Sequence, residues 1–112
     1  MKEIEFLGSS LDDLREIARR RSGFQLQLVQ SGRDPDDWKP MATVVSGCRE
    51  IRVRDPQGTY RVFYVAVVDD VVYVLHSFQN KTQKTAKADL DLGKQRFKEM
   101  VEKERKRHQD DK

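Results

Sequence analysis

Six side chains in the middle and late parts of this chain are of types that do chemistry: Arg52, Arg54, Arg61, His76, Lys81 and Lys84. An arginine presents a planar, permanently charged fork that fits a phosphate. A histidine titrates near neutrality and can carry a proton either way. A lysine held among arginines has its pKa lowered, because like charges disfavour the protonated form. Together these types fit an anion, and a phosphate in particular.

Their arrangement is visible in the charge. The 112 residues carry 22 Lys and Arg against 19 Asp and Glu, a net +3, with 37% apolar and 37% charged residues. A net +3 identifies no partner. Its distribution is more informative, with residues 49–61 at net +2 and residues 81–112 at net +4. These two basic stretches flank residues 60–78, of which 14 of 19 are apolar. Two local basic clusters hint at a polyanionic partner.

The elements that must position these groups follow from periodicity. Residues 3–7 alternate as a short strand. Ser9 and Ser10 offer helix caps, and Leu11, Leu14, Ile17 and Ala18 have helical spacing. Ser22-Gly23 marks a break, with a second short helix carrying Phe24 and Leu28. Residues 31–42, with two prolines, read as a loop whose Trp38 plugs onto the core. Residues 48–54, 59–68 and 71–78 read as three strands, joined by a turn at 55–58 and by Asp69-Asp70 as a two-residue hairpin turn. A helix follows from about Ala86, with Leu90, Phe97, Met100 and Val101 on one face and Gly93 as a weak point. The expected architecture is α+β, in the order β-α-α-β-β-β-α. N-terminal helices pack on a small, mainly antiparallel four-stranded sheet, with a C-terminal helix. Residues 1–102 make one domain, and the charged tail 103–112 frays.

These turns fix a register. Val68 faces Val71, Phe63 faces His76, Arg61 faces Phe78, Arg54 faces Thr59 and Arg52 faces Arg61. Directly opposed side chains share a face. One face then carries Ile51, Val53, Tyr60, Val62, Tyr64, Ala66, Val68, Val71, Tyr73 and Leu75, and receives the N-terminal helices. The other carries Arg52, Arg54, Arg61, Phe63, His76 and Phe78, with Lys81 and Lys84 at its rim. Arg52 opposite Arg61 is a destabilising like-charge pair. Two readings stand: Glu50 screens the pair, or the pair holds an anion. Likewise His76 is either a packed strand histidine or a catalyst, and the lysines either a solvated loop or part of the site.

Length and composition exclude several classes. The chain is too short for a multidomain enzyme. No apolar run approaches the ~20 residues of a membrane span. With one cysteine, Cys48, and no secretory-type N-terminus, the expected compartment is the cytoplasm. Two histidines and one cysteine are too few and scattered for a metal site, so no metal or cofactor is expected.

The order of elements, with CREIRVRD at 48–55, YRVFYVA at 60–66 and YVLHSFQNKTQKT at 73–85, resembles the RelE/ParE toxin superfamily. The segments SLDDLR at 10–15 and DDWKPM at 36–41 make it similar to the phage-derived HigB-like branch, from about residue 3 to residue 101. The resemblance implies the toxin of a type II toxin-antitoxin system. Its activity would be metal-independent endonucleolytic cleavage of mRNA, often on the ribosome, and its partner a helix-turn-helix, HigA-like antitoxin. Arg52, Arg54 and Arg61 match the family's basic strand positions, and Lys81 approximately its basic residue after the last strand. The chain departs from the branch at Asn80-Lys81, Ala86 and Phe97, which leaves the general acid and base open.

Cleavage of this kind is attack of a 2′-hydroxyl on the neighbouring phosphate. It needs a base, an acid and cations for the developing charge. Arg52 and Arg61 are expected to hold the phosphate, Arg54 to position the backbone, and Lys81 and Lys84 to contact RNA. Lys81 or His76 would move the proton, and Phe63 or Phe78 would stack a base. Two alternatives stay open: a ParE-like toxin acting on DNA gyrase, and a non-catalytic RNA-binding domain.

Overall fold

The densest apolar run of the sequence becomes the centre of a sheet. The computed structural model describes residues 2–68, 70–80 and 85–110. The elements are β1 (Glu3–Phe6), α1 (Glu16–Gln30), β2 (Trp38–Pro40), β3 (Arg49–Asp55), β4 (Gly58–Val68), β5 (Val71–Asn80) and α2 (Lys87–Asp110). One five-stranded sheet has the order β1-β5-β4-β3-β2. β1 runs parallel to β5, and the other neighbours are antiparallel. α2 continues through the charged segment beyond Lys103 to Asp110. No helix among the described residues is long and apolar enough to cross a membrane.

The expected α+β class and the three-strand core hold, and four details differ. First, there is one N-terminal helix, not two. Residues 7–14 make single turns, with Ser9 Oγ donating to Asp13 at 2.7 Å. α1 then runs unbroken through Ser22-Gly23. Its stripe of Ala18, Ser22, Leu26 and Val29 is buried on the sheet, and that packing outweighs the roughly 1 kcal/mol cost of a mid-helix glycine.

Second, the sheet has five strands rather than four, because part of the 31–42 loop pairs. Trp38, Lys39 and Pro40 lie opposite Ile51, Glu50 and Arg49. A proline is tolerated there because β2 is an edge strand. Third, the β3–β4 connection is shorter than four residues. Asp55 and Gly58 are themselves partners, so Pro56-Gln57 makes the turn, and Gly58 takes a φ of 143° that favours glycine.

Fourth, the register slips in the middle of β4–β5. All five expected pairs are present, but Tyr64 lies opposite Val74 and Val65 opposite Tyr73. Leu75 is the extra residue of a bulge beside the Phe63–His76 pair. A one-residue slip sends the following side chains to the opposite face. Val71, Tyr73 and Leu75 therefore pack with Phe63, Val65 and Phe78, not with Ile51 and Val62 as expected. The carbonyl of Leu75 is taken by Arg96 of α2, 3.0 Å away.

These shifts give the sheet two apolar faces and the fold three layers. α1 covers Ile51, Val53, Tyr60, Val62, Val72 and Val74. α2 covers the other face, with Leu90, Phe97 and Met100 on Phe63, Tyr73 and Leu75. Gly93 sits at the closest approach, where a Cβ would meet Phe63 Cδ2 at 3.0 Å and Val44 Cγ1 at 3.1 Å. The missing side chain that weakens the helix is what lets it seat.

A candidate anion site on the α2 face

The strand register lays two cross-strand rows on the α2 face. One row runs Lys39, Glu50, Phe63, His76 across β2, β3, β4 and β5. The next runs Arg52, Arg61, Phe78. The β2 end of these rows is charged, and the β5 end is aromatic and roofed by α2.

Glu50 is the centre of the charged end. It is fully buried, and its Oε2 lies 2.7 Å from Arg61 Nη1, 3.7 Å from Arg52 Nε and 3.7 Å from Lys39 Nζ. The Glu50-screening reading of the Arg52–Arg61 pair is the one this geometry meets. Glu50 screens the like charges, and among the described residues three cations meet this one carboxylate, a formal excess of +2 in these ion pairs. The cations are graded in exposure. The Arg61 side chain is 7% exposed, and those of Arg52 and Lys39 are 39% and 37% exposed. Arg61 is clamped, whereas Arg52 and Lys39 reach solvent. Pairing and hydrogen bonding are what make a buried charge tolerable.

The aromatic end is packed. The His76 and Phe78 rings stack at 4.7 Å, and Phe63 meets Phe78 edge-on at 5.2 Å. Phe63, His76 and Phe78 are all buried. His76 Nε2 lies 2.8 Å from Asp89 Oδ1 in the first turn of α2, and its Nδ1 is buried without a hydrogen-bond partner. This contact fastens the start of α2 to β5.

The expected groups are thus only partly brought together. Arg52 and Arg61 meet at Glu50. Arg54 lies exposed further along β3. Phe63, Phe78 and His76 adjoin the cluster but face into the core beneath α2. Lys81 and Lys84 lie outside the described residues.

Two participants have little or no sequence signal. Lys39 sits in a stretch that reads as loop because prolines flank it, and only the β2 pairing brings it to Glu50. Asp89 is one of two acidic residues near a helix start, the other being Asp91, and nothing in the sequence links it to His76. Glu50 was legible, since strict alternation puts it on the face of Arg52.

Cys48 is adjacent to this cluster in sequence and does not serve it. Burial pushes its thiol up to about 12, and the Glu50 carboxylate adds to the shift. A thiol with so little thiolate is no nucleophile.

An α+β domain with a basic strand pair and a C-terminal helix roofing the sheet is the class to which this geometry points. A family model described as "Phage derived protein Gp49-like (DUF891)" matches residues 9–98. The chain belongs to that family, which is toxin-like and related to RelE and HigB. No curated protein matches the sequence.

Proposed function

We propose that this protein is the toxin of a type II toxin-antitoxin pair and cleaves mRNA without a metal, on or near the ribosome. The observation that carries the reading is the Glu50-tethered set of Arg61, Arg52 and Lys39, a preorganised patch of excess positive charge on a rigid sheet. Preorganised cations aimed at developing phosphate charge are the largest single source of catalysis in phosphate chemistry. Family membership supports a toxin.

In this reading Arg52 and Lys39 meet the scissile phosphate from solvent. Arg61, held at 2.7 Å by Glu50, supplies fixed positive charge behind them. Arg54 contacts the RNA backbone one ladder step further along β3. The 2′-hydroxyl attacks phosphorus, the bond to the 5′-oxygen breaks, and a 2′,3′-cyclic phosphate forms. Lys81 or Lys84, one and four residues after β5 in the sequence, receives the hydroxyl proton or donates to the leaving oxygen. Burial beneath α2 and the contact with Asp89 favour a positioning role for His76. Phe63 and Phe78 likewise support the strands from within the core rather than stacking on a base. The neutralising partner is a helix-turn-helix antitoxin, and the site of action is the cytoplasm.

Expression of the chain in a bacterial host tests this reading. Growth is expected to stop while mapped messages acquire new ends, and Arg52→Ala is expected to abolish both. Arrest with intact messages and inhibited gyrase supercoiling would select the ParE-like alternative. RNA binding without arrest or cleavage would select the non-catalytic one.

A further inference from the structure

The side of α1 beside β3 carries apolar surface that the fold leaves uncovered. Ile17 is 40% exposed and Phe24 is 58% exposed, two of the three large apolar side chains exposed among the described residues. They lie seven residues apart, on one stripe of the helix. Arg21 lies between them on that stripe, and Arg20 flanks it. The stripe is distinct from Ala18, Ser22, Leu26 and Val29, which α1 buries on the sheet.

A hollow of about 310 Å³ opens between this stripe and β3, bounded by Arg20, Arg21, Phe24, Arg52, Val53 and Arg54. It lies where β3, still paired with β4, has no β2 partner on its other edge. β2 pairs only Arg49–Ile51, and the Arg52 N–H then donates to the Asp37 carbonyl. Arg21 Nη1 donates to the Arg54 carbonyl at 2.6 Å, which holds the helix against this open edge. A further hollow continues along α1 past Ile17 to Pro56. The groove thus has an apolar floor and an arginine rim. Of its acids, Glu16 is paired with Arg20 at 2.8 Å and Asp55 lies at the far end.

We propose that this groove is the docking surface for an acidic amphipathic helix of a partner protein, the antitoxin of the pair. Two apolar residues one heptad apart match the anchor spacing of a helix laid along α1. The arginine rim calls for carboxylates on the partner. A second copy of this chain would set arginine against arginine. Single-stranded RNA would use Phe24 as a stacking base, but it has no use for the aliphatic Ile17 a heptad away. This inference rests on the toxin half of the proposed function and not on RNA cleavage.

The test uses the full chain and two fluorescein-labelled probes: the purified protein encoded beside its gene, and a 20-nucleotide single-stranded RNA. Phe24→Glu and Ile17→Glu alter exposed positions, and their melting curves verify the fold. The protein probe is expected to bind wild type and to bind each variant about tenfold or more weakly, with RNA affinity unchanged. Binding to wild type should weaken as salt is raised. Failure of the protein probe to bind wild type, or equal binding to the variants, overturns the proposal. So does a matching loss of RNA affinity, which would make the groove an RNA surface. Message cleavage is read separately. Normal cleavage with unaltered partner binding sinks only the docking inference, and absent cleavage with the expected binding loss sinks only the nuclease.

Discussion

The two faces of this sheet come from the same strands and are built on different principles. Beneath α1, Ile51, Val53, Tyr60, Val62, Val72 and Val74 make a dry apolar surface. Beneath α2 and toward β2, the same strands bury Glu50, Arg61 and His76 among apolar residues. Apolar burial alone would serve stability at least as well, since well-packed hydrophobic replacements of buried ion pairs are often neutral or stabilising. The α1 face is explained by folding. The charged half of the α2 face is not, and it is there that the proposed function is placed.

The largest expected effect separates the faces by mechanism. Glu50→Ala leaves Arg61 buried beside two other cations and should cost about 3–5 kcal/mol. Val62→Ala on the dry face should cost about 1–3 kcal/mol by creating a cavity. The double variant Glu50→Leu, Arg61→Leu should regain most of the lost stability and remain inactive toward RNA. Denaturant melts of the three check this, and a double variant as unstable as Glu50→Ala breaks the comparison.

A second effect depends on pH. The Cys48 thiol rises from 9.0 to about 12 on folding, chiefly by burial. Between those values the unfolded chain has lost the proton and the folded chain keeps it. The folded state therefore binds more protons, and stability falls as pH rises. The loss reaches on the order of 4 kcal/mol across that window. Tyr64, also pushed up by burial, acts in the same direction. Cys48→Ala should flatten part of the decline between pH 9 and 12, seen in melting temperatures against pH. An unchanged slope would contradict the burial.

Two glycines sharpen the contrast between the helices. Gly93→Leu forces a side chain against Phe63 and Val44. It should cost about 1–3 kcal/mol by overpacking. Gly23 stands in the interior of α1, where an added Cβ would meet nothing within 4 Å. Gly23→Ala should stabilise by about 0.5–1 kcal/mol. Thermal melts distinguish the signs, and a destabilising Gly23→Ala would mean that α1 is held less regularly than described.

These same residues mark how much the sequence disclosed. The pairs Arg52–Arg61, Phe63–His76 and Arg61–Phe78 were legible, because the hydrophobic alternation and the two turns agree on one register. The bulge at Leu75 was not. In VVYVLHSF every position up to Leu75 is apolar, so no polar residue marks the change of face. That silence hid the second apolar face and α2's place on it. Gly23 misled because local propensity was outweighed by the Ala18–Val29 stripe. Lys39 was hidden by Pro40, which an edge strand tolerates. Of the site, the arginines and Glu50 could be read from alternation within β3 and pairing across the turn. Lys39 and Asp89 depended on contacts between segments far apart in the chain.

The claim that the charged end of the α2 face acts on RNA is tested most directly by single-turnover cleavage of a defined message in a purified translation system. Arg52 is the cation to remove, since its side chain is 39% exposed and its loss leaves the Arg61–Glu50 pair intact. Wild type is expected to cut the message and leave 2′,3′-cyclic phosphate ends. Arg52→Ala should cut about 10²–10³-fold more slowly, with an unchanged melting temperature. A message left whole by wild type, or cut equally fast by Arg52→Ala, would contradict it.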